Sequence, residues 1–237
     1  MATQSGITGR VGNTIYYKMG EKYYMRAAPR KFRQTKATKA KATEFGKASG
    51  VGRIMRENMS NVIFNADDRS MQTKLVGKIF SWMQIKETTS APGHHQFNDL
   101  VTFKFSPRAP KLGNQFKEPI RFSNTSPSSL QIDIPALIPK QFFRVSPRAS
   151  DVSLRIETVM IDIEKAELIR AFSREEIFQF DDQPVDQQTI FQDLPTVTHC
   201  LIITGMALVS YVDKINKMLL TAHKDRVPSQ IVHAIYV

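Results

Sequence analysis

Two short aromatic runs, Thr14-Ile15-Tyr16-Tyr17-Lys18 and Lys22-Tyr23-Tyr24-Met25-Arg26, flank Met19-Gly20-Glu21 and predict a β-hairpin. Gly20 supplies the positive φ that a tight hairpin loop requires. Ahead of it, Gly6, Gly9 and Gly12 suit a flexible lead-in. Behind it, Ala27-Ala28-Pro29 ends the pairing, because proline has no N–H to donate to a ladder. A lone two-stranded hairpin is marginal in water, so its four tyrosines need a further surface.

The period then changes to that of a helix. Lys31 to Ser60 reads as one, with Thr35 as N-cap and Phe45, Ala48, Val51, Met55 and Met59 as its apolar stripe. Gly46, Gly50 and Gly52 each weaken it by ~1 kcal/mol relative to alanine, which predicts a break or a close helix contact there. A second helix starts at a cap on Asp67 or Asp68. It carries Met71, Leu75, Ile79 and Trp82 or Met83 through Ile85, and stops over Thr88 to Gly93.

From Phe97 the period is two. Leu100–Phe105, Ile120–Phe122, Leu130–Ile134, Val152–Ile163, Glu167–Ser173, Leu201–Val212 and Ile231–Val237 read as strands, separated by turn clusters such as Asn124-Thr125-Ser126-Pro127 and Asp181-Asp182-Gln183-Pro184. Short strands at this spacing predict an antiparallel β-sandwich, Ig-like or jelly-roll-like. The expected class is α+β, mainly β. Its parts are a basic arm with a hairpin over 1–34, a helical segment over 35–90 and a β-sandwich over 97–237.

Charge sharpens this division. Residues 1–60 hold thirteen Lys and Arg against Glu21, Glu44 and Glu57, a net of +10 out of +11 for the 237-residue chain. A cationic arm on a near-neutral body points to a polyanion or an acidic protein surface. The apolar run Cys200–Val212 is too short and too β-branched to span a bilayer as a helix. The opening Met1–Gly12 has no apolar core of a secretory signal, so a cytoplasmic site of synthesis or a place within an assembled particle is expected. With the single Cys200, the fold must hold without an internal disulfide.

The opening Gly6-Ile7-Thr8-Gly9-Arg10-Val11-Gly12-Asn13, followed by tyrosines, the Gly20 turn, Arg26 and Pro29, resembles an uncharacterised Bacteroidota family of unknown function. Its members open Gly-x-x-Gly-Lys-x-Gly-Asn; Arg10 stands here in place of the lysine. The stretch Ser150–Val212 is similar to the family's late part. The resemblance implies a helix followed by an Ig-like β-domain, and it carries no activity.

Sites of chemistry are sparse. Gly6, Gly9 and Gly12 do not make a phosphate loop, which needs a preceding strand and a Gly-Lys-Ser/Thr ending. His94, His95, His199, His223 and His233 lack the paired spacing of a zinc site. No Gly-x-Ser-x-Gly elbow is present. Asp181-Asp182 and Glu175-Glu176 read as solvated pairs, and Cys200 as a packed strand residue. Neither catalytic residues nor a cofactor or metal are expected. The arm is the functional part, in a non-enzymatic structural subunit that joins protein partners as a homo-oligomer or a larger particle. Tyr16, Tyr17, Tyr23, Tyr24 and Met25 would form the packing face, and Arg10, Arg26, Arg30, Lys31, Arg33, Lys36, Lys39 and Lys41 the charged contacts. The alternative is a nucleic-acid-binding protein that sets the lysine-rich segment 30–56 on phosphates.

Overall fold

The computed structural model describes residues 8–29, 35–88, 100–126, 129–195, 197, 199–213, 218–219 and 225–237. The chain divides after Lys41 into two compact units.

In the first unit, β1 (Gly9–Val11), β2 (Thr14–Met19) and β3 (Lys22–Ala27) form an antiparallel sheet in that order. Met19 and Lys22 close the β2–β3 ladder around Gly20-Glu21, and Gly20 has φ of 63° at the loop position where a type II′ turn calls for glycine. Gly12, with φ of 60°, turns β1 into β2. A third strand thus replaces the flexible lead-in expected around Gly9 and Gly12; Gly6 lies outside the described residues. Thr35 caps α1 (Lys36–Asn58) as expected, its Oγ1 accepting the Thr38 N–H at 3.1 Å.

The second unit begins within α1, which runs unbroken through its three glycines. The second of the two expected outcomes holds at Gly52, where an added Cβ would lie 3.0 Å from the Val76 side chain. There follow α2 (Ser60–Ile63), a short 3-10 turn and α3 (Arg69–Thr88). Asp68 caps α3, its Oδ1 accepting the Met71 N–H at 2.8 Å. The β region holds β4 (Arg121–Ser126), β5 (Ser129–Ile134), a helical turn α4 (Pro139–Phe142), β6 (Asp151–Asp162), β7 (Glu167–Gln179), β8 (Gln188–Asp193), β9 (Cys200–Asp213), β10 (Met218–Leu219) and β11 (Ser229–Tyr236).

The larger sheet runs β7-β6-β9, with β10 and β11 sharing the far edge of β9; the smaller is β4-β5-β8. Every pairing is antiparallel, and the class is α+β, mainly β. Alternate residues of β6 and β9 enter two different cores. Val159, Ile161, Leu201, Ile203 and Val209 pack with Val51, Met55, Leu75 and Ile79 of the helices. Leu154, Ile156, Met160, Ile202 and Leu208 pack with Leu130, Ile132, Ile134, Phe142 and Phe143 on the side of the smaller sheet. The order of layers is helices, larger sheet, smaller sheet. The two sheets face each other as the sequence predicts, and α1 and α3 share a core with the larger one rather than standing apart as a segment of their own.

Burial on both faces explains the composition of the central strands. Polar side chains there must find partners inside. Glu157 accepts hydrogen bonds from the Val62 N–H (3.1 Å) and the Asn61 amide (2.9 Å), tying α2 to β6. Thr158 and Thr204 bond across β6 and β9 at 3.0 Å. Two expectations change. Leu100–Phe105 is not a strand: a Phe103 N–H to Leu100 carbonyl turn folds it, and Lys104 makes one isolated bridge to Gln230. Phe45 leaves the α1 stripe and lies half exposed, edge-on to Phe80 at 5.5 Å.

Candidate interaction surface

The β1–β3 sheet sets its side chains on two faces by strand alternation. Tyr17 pairs with Tyr24, Ile15 with Arg26 and Arg10, and Met19 with Lys22, so these seven share one face. Tyr16 pairs with Met25 and Lys18 with Tyr23, and Val11 with Thr14, so these six share the other. The single packing face expected for Tyr16, Tyr17, Tyr23, Tyr24 and Met25 is therefore divided. Adjacent tyrosines on a strand point to opposite sides, a consequence already contained in the hairpin register.

No residue of this sheet is buried. All of β1 and β3 is exposed, and Met19 and Met25 stand 63% and 64% open. Together with Val11 at 60%, they are the most open apolar residues of the sheet. Sequence reasoning passed over Val11 and Met19, because each sits beside a turn where an apolar residue reads as incidental.

Aromatic and cationic groups are interleaved on both faces. Tyr17 and Tyr24 stack with centroids 5.8 Å apart, and the Arg26 guanidinium lies 5.6 Å from the Tyr17 ring. On the opposite face Lys18 Nζ lies 5.7 Å from the Tyr23 ring. Arg26 thus belongs to the same face as Tyr17 and Tyr24. Arg10 donates from Nε to the Gly12 carbonyl at 3.0 Å, which fixes the β1–β2 turn. Arg10, Lys18, Lys22 and Arg26 face only Glu21 in sign among the charged residues of the sheet.

Of the remaining cations, Lys36, Lys39 and Lys41 are exposed on the first turns of α1, and the first turn holds no acidic residue. Arg30, Lys31 and Arg33 lie outside the described residues. So do His94, His95 and His223.

In the second unit His233, His199 and Cys200 take structural places. His233 donates to Asn124 Oδ1 at 2.9 Å and stacks on Phe122, and burial holds its imidazole below the ordinary histidine range. His199 contacts the Tyr236 hydroxyl at 3.0 Å. Cys200 is fully buried at the start of β9, and burial pushes its thiol up to about 11. Among the described residues, no three His, Cys, Asp or Glu side chains gather as metal ligands would. None of the described helices is long and apolar enough to cross a membrane. No protein-family model, curated protein or solved structure matches the chain.

Proposed function

We propose that the chain is a non-enzymatic assembly subunit that docks onto neighbouring protein subunits through its N-terminal sheet. The observation that carries this reading is a three-stranded sheet with no buried residue, presenting tyrosines and methionines on both faces. Apolar and aromatic groups held open on an ordered scaffold gain most when a partner covers them. Tyrosine and arginine are also the residue types that concentrate binding energy at protein interfaces. The cations steer docking toward an acidic surface. Lys36 agrees with that sign: a helix N-terminus disfavours a cation by ~0.3–1 kcal/mol, and an acidic partner reverses the penalty.

The test replaces Tyr17 and Tyr24 with serine and Arg26 with glutamate in the full chain. Far-ultraviolet circular dichroism stays unchanged and the native mass by light scattering falls. An unchanged mass overturns the reading.

A second reading rests on the same acid-free first turn of α1. It sets Lys36, Lys39 and Lys41 on the phosphates of a nucleic acid, with affinity that falls steeply in salt. It requires retention on a nucleic-acid column at low salt, lost in the triple Lys→Glu variant; no retention removes it.

A further inference from the structure

β7 is the outer strand of the larger sheet, pairing with β6 along its length and with no other described strand. An open edge recruits another strand unless proline, lysine, a bulge or a covering element blocks it. Between Glu167 and Gln179 there is no proline, glycine or lysine. One bulge at Ile169 marks the start, and Arg170–Gln179 then pair with β6 in unbroken register. Phe178 is the only buried residue of the strand, and Leu168, Ile169 and Ile177 are exposed.

Two opposite charges on this edge, Arg170 and Glu176, stand equidistant from Ser173. If β7 pairs antiparallel with a second β7 about a two-fold axis at that residue, positions equidistant from it stand opposite. Arg170 then meets Glu176, Phe172 meets Arg174, Ala171 meets Glu175, and Ile169 comes beside Ile177. Each contact occurs twice. Neighbouring registers fail on charge. An axis at Phe172 sets Arg170 against Arg174, one at Arg174 sets that arginine against its own copy, and one at Glu175 does the same to the glutamate. Opposite charges across an antiparallel pair stabilise it and like charges destabilise it. Within one copy Arg170 lies 4.7 Å from the Phe172 ring and Arg174 donates from Nε to Glu176, so in the pair Glu176 would accept from Arg174 of its own strand and from Arg170 of the second copy.

We infer that β7 is a homodimerisation edge: two copies join their β7 strands antiparallel about a two-fold axis at Ser173, extending the larger sheet across both. The occupant of the edge is a second copy of this chain, identified by the Arg170–Glu176 pair that forms twice about Ser173 and by the absence of like charges opposite one another in that register. Such an interface is isologous and closes on itself. It rests on β7 alone and does not depend on the N-terminal sheet.

The test is Ser173→Cys in the full chain. At the axis the two Cα atoms stand ~4.5–5.5 Å apart, within disulfide reach. The one natural cysteine, Cys200, is buried. Mild oxidation therefore gives a covalent dimer. Ala171→Cys, displaced from its own copy by about 13 Å along the strand, gives none. Arg170→Glu lowers the native mass, and Arg170→Glu with Glu176→Arg restores it. A Ser173→Cys chain that stays uncrosslinked, equal crosslinking of Ala171→Cys, or a double exchange that fails to restore the mass overturns the inference. Loss of assembly on substituting Tyr17, Tyr24 and Arg26 leaves this crosslink intact, so the two interfaces fail separately.

Discussion

Gly205 sits on β9 directly opposite Glu157, beneath the segment that joins α1 to α2. A Cβ there would collide with Met59 Cε and stand 3.1 Å from Val62 Cγ1. Met59 is fully buried, and the larger valine side chain would press on both its methyl and that of Val62. Overpacking of this kind costs ~1–3 kcal/mol, so Gly205→Val lowers the urea unfolding midpoint markedly. Gly46 is the internal control. It is exposed in α1 with nothing within 4 Å of an added Cβ, and Gly46→Ala raises stability by ~0.5–1 kcal/mol. Equal effects at the two sites would contradict the packing described for β9. Cys200 gives a pH test at the same scale. Its thiol titrates at about 11 in the folded chain and near the ordinary thiol value once unfolded. The folded state therefore holds the proton more tightly. Its contribution is complete below the unfolded value and is lost as pH climbs toward 11. Cys200→Ser or Cys200→Ala flattens that decline; a decline of the same slope in both variants assigns it to other groups.

Elements followed local chemistry where the chemistry was local. The Gly20 loop, the Thr35 and Asp68 caps and the Met71-Leu75-Ile79 stripe depend on residues within one or two turns of each other, and all were legible in the sequence. What escaped depended on distant neighbours. β8 carries only Ile190 and Phe191 as apolar residues, and its strand identity comes from pairing with β5. Leu100–Phe105 alternates like a strand, yet Leu100 and Phe105 are core plugs beneath the helices. The division of the tyrosines followed from strand alternation and was available from the register alone. The openness of β1 and β3 was not, because exposure is set by what does or does not cover an element. The symmetry of β7 is written in its sequence, but only its place at a sheet edge gives that order a meaning.

At the scale of the molecule, charge and architecture divide along similar lines. The second unit is a layered body whose charge is close to balanced, and the first carries a cationic sheet with no buried residue. Two surfaces of different kind follow from the proposals: a self-complementary edge on the body, and an aromatic, basic sheet suited to an acidic neighbour. An isologous pair alone stops at two copies, whereas a second, different interface carries the assembly further. The most direct measurement is the native mass of the purified full chain, taken with its ultraviolet absorbance ratio and repeated after removal of residues 1–34. The account predicts a multiple of the 26.9 kDa chain mass, an absorbance ratio of protein alone, and fewer copies per particle for the shortened chain, which still folds. A 26.9 kDa monomer, a copy number untouched by the truncation, or an absorbance ratio rich in nucleic acid would contradict it.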